Sequence, residues 1–279
     1  MIDTHVHFWN FDPVRDSWIN ADMAVIQRDF LPADLQRADP EHKLEGCIAV
    51  QASQSEAENV FLLDLASKNK LIKGIVGWVD LCHPLLGEHL GYWKNFPLIK
   101  GWRHVLQAEN EDFILAKSFI DGLRQLREHG YSYDLLCYHD QLPSMIRLVD
   151  LVPGQSFILD HCGKPNIKSG NMAAWADNIS ILAQNQNVCC KLSGLLTEAD
   201  WQNWTEKQIF DCFDVVFNQF GLDRILFASD WPVLTLSRSY QQWIGLVKKY
   251  LEQFSTDEQH KILRDNAIRC YRLDLTTSA

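Results

Sequence analysis

Short apolar runs recur along the chain, and most are followed by a stretch whose apolar positions fall at helical spacing. The first run is residues 1–7, which closes on His5 and His7. Further runs at 45–51, 72–79, 98–104, 133–139, 156–161, 187–193 and 224–230 read as short strands buried on both faces, as parallel strands are. Helical stripes fill the intervals: Ala57, Phe61, Leu62 and Leu65 behind a Ser55/Glu58 capping box; a short helix from Leu85 to Trp93; and Ala116, Phe119, Ile120, Leu123 and Leu126, stopped at Gly130. Trp175, Ile179 and Leu182 form another, and Ile209, Phe213, Val216 and Phe220 end at Gly221. Tyr240, Trp243, Ile244 and Val247 follow the last strand, and a final helix is expected behind a Thr256/Gln259 capping box. Eight strand-then-helix units predict an α/β fold, a single-domain (β/α)₈ TIM barrel over residues 1–279.

One interval breaks the rhythm. Residues 8–44 are rich in aromatics (Phe8, Trp9, Phe11, Trp18, Phe30) and turn formers, with a short helix expected from Pro32; a loop of this length inside a domain is expected to pack as a lid. The formal net charge of −10, with no Lys/Arg-rich run, excludes nucleic acid and anionic membranes as natural partners and points to a small molecule. Eight cysteines without a CxxC pair, several of them inside apolar runs, fit a reducing cytoplasm. No leader and no apolar run long enough for a membrane span is read, so a soluble, unprocessed monomer or homodimer is expected.

In a barrel of this kind the active site lies at the carboxyl ends of the strands, so the residue closing each strand carries the information. His5 and His7, two apart on a strand, project from one face and offer two imidazole nitrogens to a metal. Arg103-His104, Tyr138-His139, Asp160-His161 and Asp230-Trp231 close other strands. Five polar endings on apolar strands would meet at one mouth. Each has a structural alternative. Arg103 could pair with Glu109 or Glu111, His104 could be an interior hydrogen-bonded histidine, and His139 could serve a helix N-capped by Asp140. Lys164 and Lys191 are expected to be solvated or salt-bridged unless they reach the mouth; Trp231 offers either core packing or a flat face to a ligand ring. His42, His83, His89, His129 and His260 lie away from strand ends and receive no role.

The segments IDTHVHFW, GWRHVLQ, LDHCGKP, CKLSGL, FASDWPV and DNAIRCYRL, spread from Ile2 to Leu273, resemble the amidohydrolase superfamily. Within it they are similar to the amidohydrolase-related group that contains sugar lactonases of the L-fuconolactonase and L-rhamnonolactonase type. The resemblance implies His5, His7, His161 and Asp230 as the shell for one divalent metal, zinc or manganese. Arg103-His104 stands where two-metal members carry a bridging lysine, so at most one metal is expected, and the group also contains lactonases held to work without one. The implied reaction is opening of a sugar lactone. Asp230 would be the general base; His161 and His104 would polarise the carbonyl or return a proton; Arg103, Trp231 and Lys164 would contact substrate. A metal-dependent decarboxylase of an aromatic or conjugated acid is the competing enzyme, and a barrel that only binds a metabolite the non-enzymatic alternative.

Overall fold

The computed structural model describes residues 1–41 and 43–275, so His42 lies outside the described residues. Eight strands form one sheet in sequence order: β1 (Ile2–Val6), β2 (Gly46–Val50), β3 (Ile72–Gly77), β4 (Ile99–His104), β5 (Ser132–Leu135), β6 (Ser156–Leu159), β7 (Val188–Leu192) and β8 (Ile225–Phe227). Every neighbouring pair is parallel. The seam between β8 and β1 is joined just beyond the strands. Asp230 N–H donates to His5 O at 2.9 Å, His7 N–H donates to Trp231 O at 2.7 Å, and Val6 bridges Trp231 in parallel.

A helix follows each strand: α1 (Pro32–Ala38), α2 (Glu56–Lys68), α3 (Leu86–Trp93), α4 (Lys117–Glu128), α5 (Leu142–Leu151), α6 (Ala173–Leu182), α7 (Glu206–Phe220) and α8 (Tyr240–Leu251). Their apolar stripes pack on the outward side chains of the strands, such as Trp102, Tyr133, Phe157 and Phe227, in one continuous core with Phe119, Phe213 and Trp243. The inward side chains Ile2, Ile48, Val50, Val76, Ile158, Cys189 and Leu226 form a second, smaller cluster. A short helix after the last strand-and-helix unit, α9 (Asn266–Tyr271), closes it from below with Ala267, Cys270 and Tyr271. Asn266 pins that helix to the barrel by donating from Nδ2 to Ile225 O at 2.8 Å.

Local chemistry departs from the sequence reading in four places. Ser55 caps α2 through Ala57 N–H, but the Glu58 carboxylate accepts from Ala52 N–H, so the reciprocal half of that capping box is absent. The last capping box sits one residue early, at Ser255 and Glu258, because Ser255 is the residue with extended backbone. β5 stops at Leu135, so Tyr138 and His139 do not end a strand. Asp140 is no cap: Gln141 Oε1 takes the Tyr138 N–H at 2.9 Å in a 3₁₀ turn, and α5 starts at Leu142 with Pro143 in its first turn.

The long segment after β1 is packed, as expected. Trp9 and Phe30 exchange both backbone hydrogen bonds at 2.9 Å, and the rings of Phe30 and Trp18 stand edge-on to Trp9. All eight cysteines are free, and no helix among the described residues is long and apolar enough to cross a membrane.

Candidate active site

Strand alternation decides which of the polar strand ends meet. On β4, Trp102 and His104 point outward to the helices, and Arg103 between them points inward. Arg103, His7, His161, Lys164 and Asp230 line a pocket of about 210 Å³ at the carboxyl end of the barrel, with Trp18, Ala52, Val105, Gln107, Leu136 and Val233. His5 lies directly beneath, fully buried. Thus His5, His7, His161, Asp230, Arg103 and Lys164 are brought together.

His104 and Trp231 are not. His104 Nε2 bonds Glu109 Oε1 at 3.0 Å and its ring stacks on Phe113, outside the strand cylinder. Trp231 packs edge-on against Phe8 and Phe30 under the long segment. His139 lies in the 3₁₀ turn before α5, and the structural alternative for Arg103, a pair with Glu109 or Glu111, is not the one formed: Arg103 pairs with Asp160.

Three imidazoles surround the Asp230 carboxylate. Its Oδ1 is 3.4 Å from His7 Nε2, 3.7 Å from His5 Nε2 and 3.9 Å from His161 Nε2. Burial raises the pKa of Asp230, but the neighbouring imidazoles, His161 first, outweigh it and hold the carboxyl far below its ordinary value. Burial pushes His161 down to about 4, against the pull of Asp230, and drives His5 well below its ordinary value against the pull of Asp160. An ionised carboxylate therefore faces the neutral imidazoles of His5 and His161. The tautomer of His7 follows from its partner: Nδ1–H donates to Val50 O at 2.8 Å, which leaves the Nε2 lone pair facing the site.

The loop after β6 is held in an unusual shape. His161, Cys162, Gly163 and Lys164 all have positive φ, between 46° and 68°, and Asp230 has φ 62°. Non-glycine residues there cost about 1–3 kcal/mol each and persist where their surroundings over-determine them. Here Trp175 Nε1–H donates to Cys162 O at 2.8 Å, Ser193 Oγ bonds His161 Nδ1 at 2.9 Å, and the Cys162 thiol donates to Lys191 O. Gly194 completes the cradle: at φ 69°, an added Cβ would lie 2.5 Å from His161 Cβ. Gly194→Ala is therefore expected to cost about 1 kcal/mol or more of stability and, by pushing His161 aside, on the order of 10²-fold in turnover. Urea unfolding and steady-state kinetics on the same preparation check both effects.

Beneath the pocket lies a charge network that the residue-by-residue reading of the sequence missed. Lys191, expected to be solvated or salt-bridged, points inward from β7 with no solvent exposure; its Nζ is 2.5 Å from Asp134 Oδ2 and 2.9 Å from Asp160 Oδ1. Arg103 donates from Nη1 to Asp160 Oδ2 at 3.1 Å and from Nη2 to Gln51 O at 2.6 Å. Tyr271, rising from α9, bonds Asp134 at 3.0 Å. Two cations and two carboxylates balance. Burial raises Asp160, but Lys191, then His5 and Arg103 overcome it and keep this carboxyl well below its ordinary value.

An amidohydrolase family model matches residues 2–273. An L-fucono-1,5-lactonase of Burkholderia multivorans is 36% identical over 98% of this chain and 96% of its own length. The chain belongs to the amidohydrolase family. A second L-fucono-1,5-lactonase, from Burkholderia ambifaria, is 30% identical to this amidohydrolase over 98% of the chain and 96% of that relative. A solved amidohydrolase from Burkholderia multivorans with bound zinc superposes with a TM-score of 0.94 at 36% identity, covering 98% of this chain and 99% of that one.

The donor set of this amidohydrolase suits a divalent metal. His5, His161 and Asp230 offer ligand atoms that all lie within 4.8 Å of one another, and His7 turns its Nε2 lone pair toward the same carboxylate. A second group of the same kind, His5 with Asp134 and Asp160, already holds the ammonium of Lys191.

Proposed function

We propose that this amidohydrolase hydrolyses a sugar lactone, and that Asp230 is the base that receives the proton of the attacking water. The observation that carries this reading is an ionised carboxylate, nine-tenths buried, at the base of a pocket and ringed by three imidazoles. The names of the two Burkholderia relatives support the substrate class.

Lactone opening needs a water held for attack, stabilisation of the carbonyl oxygen as charge develops on it, and a proton for the leaving alkoxide. Asp230 stays ionised throughout the working pH range and accepts a hydrogen bond from the water. Its low basicity makes it an orienting acceptor first and a proton acceptor as the water's own acidity rises during attack. Arg103 supplies fixed positive charge beside the pocket, and its guanidinium is clamped by Asp160 and the Gln51 carbonyl, so it needs no reorganisation during the reaction. Lys164 lines the same pocket, with Nζ 3.5 Å from Glu198 Oε1, and is the more exposed proton source for the leaving oxygen. His5, His7, His161 and Asp230 would hold one zinc or manganese ion; bound there, it would act as a Lewis acid and make water more acidic. His161, oriented by Ser193, otherwise faces the carbonyl as a hydrogen-bond donor.

The test follows proton release from fresh 1,4- and 1,5-aldonolactones in weak buffer with a pH indicator, before and after chelator treatment. Rapid opening of at least one lactone is expected. Silence across the panel, with the protein folded and zinc restored, would overturn the reading. Zinc is also expected to raise the thermal midpoint of the chelated protein, as any ligand of the native state must.

A further inference from the structure

The turn that follows β4 carries a polar side chain with nothing to bind. Gln107 lines the pocket two residues beyond Val105 and four beyond Arg103, and its Oε1 is buried without a hydrogen-bond partner. The backbone around it is fixed. Gln107 N–H donates to Leu136 O at 3.0 Å, and Gln141 Nε2 spans the turn, donating to Leu106 O at 3.0 Å and to Glu109 O at 2.9 Å. Arg103 has the same kind of vacancy: both terminal nitrogens are engaged, while its Nε–H is buried with no acceptor.

Buried polar atoms are rarely left unpaired, and a held backbone with an unpaired amide oxygen on a cavity-lining residue is preorganised for a ligand. The two free groups are complementary to one chemical function. A hydroxyl donates one hydrogen bond and accepts others, so it satisfies a carboxamide oxygen and an N–H at once. A methylene does neither.

We infer that Gln107 is a specificity residue that reads a ring hydroxyl of the lactone, with Arg103 Nε–H as the second contact to that side of the substrate. This inference rests on the lactone-hydrolysis reading and narrows it: the preferred substrates are polyhydroxylated lactones, and simple alkyl or aromatic lactones leave both groups buried and unpaired. Gln107 Oε1 bonds neither Asp230 nor any histidine among the described residues, so its contribution lies in binding and selection.

The experiment compares wild type, Gln107→Met and Gln107→Glu on the best sugar lactone of the panel and on the monodeoxy lactones that lack each ring hydroxyl in turn. For Gln107→Met, KM for the parent lactone is expected to rise about tenfold, the effect of losing one neutral hydrogen bond, with a smaller change in kcat. One deoxy lactone is expected to be disfavoured about tenfold by wild type and to be opened equally well by wild type and Gln107→Met. Gln107→Glu keeps the acceptor oxygen and is expected to keep the preference for the hydroxylated lactone. Thermal unfolding of each variant separates a misfolded protein from a changed pocket. If Gln107→Met lowers kcat/KM by one common factor on every lactone, or on none, the assignment of Gln107 is overturned while lactone hydrolysis stands. If folded wild type opens no lactone at all, hydrolysis and hydroxyl reading fall together.

Discussion

Asp230→Asn is expected to lower kcat for lactone opening by about 10²–10⁴-fold, the range lost when a positioned acid–base group is removed. The substitution keeps the size and shape of the side chain while removing its negative charge and its capacity to accept a proton. In the wild-type protein Oδ1 lies within 3.9 Å of three imidazole nitrogens, so the carboxylate is the single anionic acceptor in direct contact with all of them. An asparagine at φ 62° is tolerated in the left-handed region, so the backbone at the end of β8 has no reason to move. Steady-state kinetics with a circular-dichroism control make the measurement. A folded variant that retains turnover within about threefold would remove Asp230 from the role of base. Calorimetric titration with zinc gives an independent readout: loss of the one carboxylate among the four candidate ligands is expected to weaken zinc binding at least tenfold, whatever happens to the chemistry.

The second large effect belongs to stability. Lys191→Met is expected to destabilise the protein by about 3–5 kcal/mol, because it strips one cation from a buried set of two cations and two carboxylates. Lys191 touches Asp134 and Asp160 directly, and none of the three side chains reaches water. Methionine fills nearly the same volume, so the cost is an uncompensated buried charge and not a cavity. Asp134→Asn combined with Lys191→Met restores the balance and is expected to recover a substantial part of the loss; urea unfolding of the two single variants and the pair gives the coupling directly. Additive losses would mean that the charges do not sense one another.

The sequence reading was most successful where local pattern and global fold agree. Eight apolar runs separated by helical stripes leave little choice but a barrel, and every run lies on an observed strand. The residues His5, His7, His161 and Asp230 were legible because polar side chains at the ends of apolar strands need a reason to be there. What remained illegible was direction. Arg103-His104 was read as two residues facing the mouth, yet adjacent residues leave a strand on opposite sides and only Arg103 reaches the pocket; of Asp230-Trp231, which follow the end of β8 with Asp230 at positive φ, only Asp230 reaches it. Alternation from the outward Trp102 could have settled the first pair. Lys191 could have been found in the same way, since it alternates with the apolar Cys190 and Leu192 that face the helices. Its partners could not: Asp134, Asp160 and Tyr271 come from two other strands and the floor helix, and no local spacing records that they meet. Gln107 was hidden for another reason. A glutamine in a turn is unremarkable until its surroundings are seen to leave it without a partner.

The seam between β8 and β1 gives the site a place in time as well as in space. His5 and His7 belong to the first strand of the sheet and Asp230 follows the last, and the two groups meet where Asp230 N–H finds the His5 carbonyl and His7 N–H finds the Trp231 carbonyl. Contacts of such sequence separation form late, after the cost of closing the intervening chain has been met. A nascent or half-denatured chain therefore carries histidines and an aspartate but no site. Recovery of reactivity during refolding reports closure of the ring rather than the growth of helices.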